Sequence, residues 1–284
     1  MLHLNVTSQG QRRVNIQIFL KLQQSSTKPR FMGCATSQPA DSKPAQAVSK
    51  VESKMQKITF GSNLPGLEIG DKSLPGVIVI QEWWGVTPNI TELAEQISAQ
   101  GFRCLVPDLY KGKIGVDAEE ASHLMNNLNF KEAVAELGQA ADYLRSTGAS
   151  KVGCTGFCMG GALTLAAMAD GMNIDCGAPF YGIPPAAYFN VSNIKKPVMF
   201  QYGDLDKMAG FSDAAAANTL AETMKAAGNP IEMYNYPTGG HGFMNAATTV
   251  GTEYLAKAGS PVPEQADVKL AFERLIAFLK KNVA

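Results

Sequence analysis

From Gly76 onward the chain alternates short apolar runs with helix-patterned stretches, and this alternation limits the possible folds more than any other feature. Gly76-Val77-Ile78-Val79-Ile80 is an unbroken run after a Pro/Gly turn, as expected of a strand buried on both faces of a parallel sheet. A helix is expected over about 90–100, with Ile90, Leu93, Ala94 and Ile97 on one face. Asn89 and Glu92 have capping-box spacing, and Gly101 stands where a C′ glycine belongs. Further strands are expected at 103–106, 151–155, 176–181, 198–202 and 231–236. Further helices are expected at 130–145 (opened by Asn129 and Glu132), 161–169, 213–227 and 264–281. The pattern predicts an α/β fold: one mostly parallel central sheet with helices on both faces, in a single domain over 56–284.

The 25 basic and 25 acidic side chains cancel, which disfavours a nucleic-acid partner. No apolar run is long enough for a transmembrane helix. Five cysteines without zinc-ligand spacing (Cys34, Cys104, Cys154, Cys158 and Cys176) point to a reducing compartment, with no metal and no cofactor expected.

The charge is unevenly spread. Residues 1–40 hold Arg12, Arg13, Lys21, Lys28 and Arg30 and no acid, while 56–284 hold 17 basic against 23 acidic residues. Residues 25–55 are rich in Ser, Pro, Ala and Lys and read as a linker. The first 55 residues are therefore expected to be a disordered leader. An acid-free, Arg- and Ser-containing start resembles a transit peptide, which would direct the chain to a chloroplast or mitochondrion. The alternative is a non-functional extension on a cytoplasmic protein. A third reading is a dual acyl anchor, because Met32-Gly33-Cys34-Ala35-Thr36-Ser37 fits a myristoylation signal if Met32 is the true start.

In parallel sheets of this kind, ligands bind beyond the carboxyl ends of the strands. The strand from Lys151 runs into Gly156-Phe157-Cys158-Met159-Gly160-Gly161, a G-x-C-x-G turn that opens a small-residue helix. Such a turn holds a nucleophile in a strained conformation, and side chains at the glycine positions would crowd it. The helix N-terminus behind it favours a thiolate. Cys158 is thus the candidate nucleophile, whereas Cys104, Cys154 and Cys176 read as buried small hydrophobes.

A thiol is mostly protonated at neutral pH and needs a base. Of three histidines, His3 lies in the leader and His123 in an acidic helical patch. His241, in Gly239-Gly240-His241-Gly242-Phe243, is the base by elimination. An acid must orient the imidazole, and Asp204 and Asp206 in Gly203-Asp204-Leu205-Asp206 are both candidates. Glu82 ends an apolar strand before Trp83 and Trp84, where a buried carboxyl needs a partner or a raised pKa.

Together GFCMGG, Gln81-Glu82, Pro107-Asp108-Leu109-Tyr110, Tyr181-Gly182, GDLD and GGHGF resemble the dienelactone hydrolases, α/β-hydrolases with a cysteine nucleophile. The resemblance implies the α/β-hydrolase fold over about 76–284. It also implies Asp206 as the orienting acid, Glu82 as a fourth member that contacts the resting thiol, and the backbone N–H groups of Met159 and Trp83 as the oxyanion hole. Family members acting on dienelactone hold its carboxylate with arginines. Here the corresponding stretches read Lys111-Gly112-Lys113 and Met244-Asn245. Lys111 and Lys113 could supply point charges. Trp83, Trp84, Tyr181, Phe243 and Met208 are expected around an apolar pocket.

The expected activity is cysteine-dependent hydrolysis of a small ester or lactone through an acyl-enzyme, in a monomer or weak homodimer. Competing readings are a non-catalytic ligand receptor on the same fold and a thiol redox sensor at Cys158.

Overall fold

The computed structural model describes residues 55–229 and 231–284, so the expectations placed on the leader, including His3 and the Met32-Gly33 signal, lie outside the described residues. Eight strands form one sheet in the order β1-β2-β4-β3-β5-β6-β7-β8. These are β1 (Gln56–Phe60), β2 (Leu64–Ile69), β3 (Gly76–Ile80), β4 (Arg103–Pro107), β5 (Val152–Phe157), β6 (Cys176–Phe180), β7 (Met199–Gly203) and β8 (Glu232–Tyr236). The six from β4 to β8 run parallel, and the β1–β2 hairpin is added antiparallel on the β4 edge. The helices are α1 (Pro88–Ser98), α2 (Ala118–Asn127), α3 (Phe130–Ser146), α4 (Met159–Ala169), α5 (Ala214–Ala226), α6 (Gly251–Lys257) and α7 (Gln265–Val283).

Strand alternation sorts the core into two layers. In β3, Val77 and Val79 join α1 and α7 on one face, while Ile78 and Ile80 join α3, α4 and α5 on the other. In β4, Cys104 and Val106 face the first layer and Leu105 the second. Because both faces are covered, the parallel strands carry continuous apolar runs, which is why they were visible in the sequence.

Two local readings are corrected. Helix α1 is opened by Thr87 with Pro88 in the first turn, not by an Asn89 cap. Proline serves the first turn because its missing N–H has no intrahelical acceptor there. This leaves the Asn89 side chain buried and turned toward the site. The β1–β2 hairpin went unseen because β1 is mostly exposed and polar and β2 begins Leu64-Pro65-Gly66. It is pinned by buried Arg103 of β4, which donates through Nε to Glu68 of β2 at 2.7 Å and lies 5.4 Å from the ring centre of Tyr143. By contrast, Asn129 does cap α3, accepting from the N–H of Lys131 and Glu132. Among the described residues no helix is long and apolar enough to cross a membrane.

Candidate active site

Each candidate side chain stands just past the carboxyl end of a strand: Glu82 after β3, Cys158 after β5, Tyr181 after β6, Asp206 after β7 and His241 after β8. Cys158 has φ +54° and ψ −115°, a strained conformation outside the regions favoured by L-residues. The surrounding glycines make the turn sterically possible. A Cβ on Gly156 would lie 2.2 Å from the Gly160 carbonyl oxygen, and one on Gly160 would lie 2.5 Å from that of Ile80. A Cβ on Gly182 would meet the Cys158 carbonyl oxygen at 2.0 Å. Crowding between backbones, not flexibility, therefore explains the G-x-C-x-G pattern and the glycine after Tyr181.

The β7 and β8 loops are tied together. Leu205 N–H donates to the Gly239 carbonyl at 2.9 Å, and Asp204 N–H donates to that of Tyr236 at 2.9 Å. Gly203 and Gly239 pack backbone to backbone. This pairing sets Asp206 and His241 side by side. His241 Nδ1 is 2.8 Å from Asp206 Oδ2, and His241 Nε2 is 3.0 Å from Cys158 Sγ. Asp204, the other candidate acid, is exposed and accepts from the Asn235 amide. His123 is exposed beside Glu119.

Burial pushes Asp206 up, but the His241 charge and hydrogen bonds from His241, the Met208 N–H and Ser212 hold it below the usual carboxylate range. Burial would lower His241, yet the anionic forms of Asp206 and Cys158 and their hydrogen bonds raise it well above the usual imidazole value. The pair therefore favours a proton on the imidazole.

Glu82 is also buried, and desolvation raises its carboxyl against the opposing effects of the Asn245 amide, the His241 charge and the Tyr181 hydroxyl. It accepts hydrogen bonds from the Asn245 amide (3.1 Å at each oxygen) and from the Tyr181 hydroxyl (3.4 Å). The contact expected between this glutamate and the thiol is replaced by these two, while the thiol is engaged with His241. Asn245 was not singled out as a partner of Glu82, because a neutral amide carries no distinctive signature in sequence. Behind it, the Thr87 hydroxyl donates to Asn89 and the Asn89 amide donates to the Asn245 carbonyl oxygen. This chain orients Asn245 so that its NH2 group faces Glu82.

Met159 opens α4, where a first-turn N–H has no intrahelical acceptor, and Trp83 directly follows Glu82. A cavity of about 10 Å³, room for roughly one water, lies at Cys158 and His241. Trp83, Trp84 and Glu82 form one side, Asn245 borders it, and Tyr254, Leu255 and Ala258 from α6 and its end form the roof. The other expected pocket residues lie elsewhere. Phe243 is fully buried against Tyr181 and Tyr236, Tyr181 is buried beneath Glu82 and His241, and Met208 is half-buried beside Asp206. Lys111 pairs with Glu136 at 2.5 Å and Lys113 is exposed, and neither lines the cavity.

The dienelactone hydrolase family model matches residues 66–283. The chain is 33% identical to Protein usf of Aquifex pyrophilus over 181 residues, 60% of this chain and 77% of that protein. It is 30% identical to carboxymethylenebutenolidase 1 of Cupriavidus pinatubonensis over 223 residues, 73% of this chain and 88% of the relative. Among solved structures, a dienelactone hydrolase-like promiscuous phosphotriesterase from metagenomic libraries superposes with a TM-score of 0.66 at 16% identity, covering 81% of this chain and 99% of the other. The Pyrococcus furiosus esterase Pf2001 gives a TM-score of 0.56 at 14% identity, covering 87% of this chain and all of the other. At those identities the two structures speak to the fold alone, the α/β-hydrolase fold. With the family model and the relatives in agreement along nearly the whole described body, the chain belongs to the dienelactone hydrolase family, hydrolases of ester and lactone bonds.

Proposed function

We propose that the chain hydrolyses a small carboxylic ester or lactone through a thioester on Cys158. The observation that carries this reading is the 3.0 Å approach of His241 Nε2 to Cys158 Sγ, with Asp206 2.8 Å behind the imidazole. With the proton on His241, the sulfur attacks the carbonyl carbon as a thiolate. The tetrahedral oxyanion is received by the N–H groups of Met159 and Trp83. Collapse breaks the C–O bond of the ester, and the leaving alkoxide takes the proton from His241. In a lactone the alcohol stays attached to the acyl chain. His241, now neutral, removes a proton from water, and the hydroxide attacks the thioester. The second tetrahedral intermediate expels the thiolate, and the carboxylic acid departs. Asp206 holds the imidazole in the tautomer that points Nε2 at sulfur and stabilises its cationic form.

The test is pre-steady-state hydrolysis of 4-nitrophenyl acetate. The wild-type chain should release a burst of one nitrophenolate per chain and carry a mass increase of one acetyl group on Cys158. Cys158→Ala should show neither. Turnover by Cys158→Ala near the wild-type rate would overturn the assignment.

A further inference from the structure

We propose that the acyl group held at Cys158 is uncharged and flat, seated against Trp83 and Trp84 under Tyr254, and that carboxylate-bearing acyl groups are rejected. This proposal rests on the hydrolase reading above and names the substrate class of the same site.

Among the described residues, no lysine or arginine lines the cavity. Lys111, on the PDLY side, is taken up by Glu136. Lys257 lies with its ammonium 5.2 Å from the centre of the Tyr254 ring, but it is exposed and does not line the cavity. A carboxylate brought into this space would lose water and meet no cation but the His241 ring, whose charge is already balanced by Asp206 at 2.8 Å, a large penalty in a buried site. It would also face Glu82, whose oxygens already receive the Asn245 amide and the Tyr181 hydroxyl. The NH2 of Asn245 has no proton left for a ligand: besides Glu82, it donates to the Gly242 carbonyl at 3.0 Å. Its carbonyl is taken by Asn89, which is fixed in turn by Thr87. The side formed by Glu82 and Asn245 is thus closed on itself and presents no free donor to an anion.

The remaining walls are aromatic and aliphatic. Trp83 and Trp84 meet edge to face at 4.8 Å, and Tyr254 meets Trp84 edge to face at 6.0 Å. Such surfaces reward flat apolar groups. The present space of about 10 Å³ is too small for any acyl group, so the roof residues Tyr254 and Leu255 must shift as it enters. Tyr254, half-buried edge to face against Trp84, is therefore the residue whose ring decides which acyl groups fit.

The experiment compares matched 4-nitrophenyl esters of acetate, phenylacetate and 4-carboxyphenylacetate. The expected order of kcat/KM places phenylacetate about 100-fold or more above its carboxylate analogue, the size of one unfavourable charge contact at partly buried dielectric. Tyr254→Ala should lower kcat/KM for phenylacetate about tenfold more than for acetate. Binding is read separately in Cys158→Ala, through fluorescence quenching of Trp83 and Trp84, the two tryptophans of the chain. There phenylacetamide should bind at least tenfold tighter than 4-carboxyphenylacetamide. Equal or better handling of the carboxylate compound in the kinetic arm would overturn the proposal. Should esters prove not to be turned over through Cys158, the hydrolase reading fails, and the quenching arm still decides the pocket's charge preference.

Discussion

Asn245 donates its side-chain amide to both oxygens of Glu82, at 3.1 Å each, across 163 residues of sequence. Asn89 fills the other end of the same amide, so one buried side chain satisfies a carboxyl and a second amide at once. Replacing it by the similarly sized Asn245→Leu leaves the Asn89 amide without its acceptor and Glu82 with the Tyr181 hydroxyl alone. A buried group stripped of its hydrogen bond costs about 1–3 kcal/mol, so the variant should lose about 2–5 kcal/mol in urea unfolding, with its ester kcat/KM reduced as Glu82 loses its fixed position. A loss below about 1 kcal/mol would show that the chain from Thr87 to Glu82 does not hold the site together.

Glu82 itself gives stability an unusual pH slope. Desolvation raises its carboxyl in the folded state, so folding tightens its proton. Its contribution is full below the unfolded carboxyl value of about 4.3 and is lost as pH rises through the folded value. Glu82→Gln keeps an acceptor for Asn245 but cannot titrate. The wild-type chain should therefore be favoured over Glu82→Gln more at pH 5 than at pH 8. Parallel stability curves for the two chains between those values would refute the raised carboxyl.

The sheet was legible because its parallel strands are buried on both faces and must be apolar throughout, as Val77 to Ile80 are. The elbow was legible because sterics leave glycine alone at 156, 160 and 182. The hairpin was not, because an exposed edge strand such as Gln56–Phe60 needs no apolar pattern. The α6 roof was missed for a similar reason: seven residues carry too little periodicity, and only Gly251 and Leu255 are buried. Cys158, His241 and Glu82 stand out from local patterns, while Asp206 is separated from Asp204 only by the family resemblance, and the structure gathers all four at one sheet edge. What local patterns cannot reveal is partnership. Thr87, Asn89 and Asn245 are ordinary polar residues until the fold joins them, and Asn89 even mimics a helix cap.

Backbone crowding at the elbow can be separated from simple loss of glycine freedom. Gly156→Ala places a methyl carbon 2.2 Å from the Gly160 carbonyl, and neither backbone can withdraw without moving Cys158. It should destabilise the chain by more than about 3 kcal/mol and abolish turnover. Gly171→Ala is the control: its φ is +76° but no atom of the described residues lies within 4 Å of the added carbon. That change should cost only about 1–2 kcal/mol and spare activity. Comparable losses from both in thermal or urea denaturation would mean that crowding is not what fixes the elbow.

The Asp206–His241 pair predicts an opposite-signed pH effect on each partner. Asp206 is held low, so its contribution is present above the unfolded value of about 3.9 and fades as pH falls through the folded value. His241 is held high, so its contribution is full below about 6.5 and fades as pH rises through its folded value. The ion pair is therefore strongest between those limits, near pH 5–6. Asp206→Asn removes the charge that supports His241 while keeping the side chain's shape. Its destabilisation should be larger near pH 6 than at pH 10, by on the order of 1 kcal/mol, since a tenfold change in proton affinity is worth about 1.4 kcal/mol. The same variant should lose about 100- to 10,000-fold in kcat, because the imidazole no longer has a partner that fixes its tautomer and stabilises its cation. Histidine NMR titration checks the cause directly: the His241 ring should titrate at lower pH in Asp206→Asn than in the wild-type chain. An unchanged titration would mean that the carboxylate 2.8 Å away is not what keeps the proton on the ring.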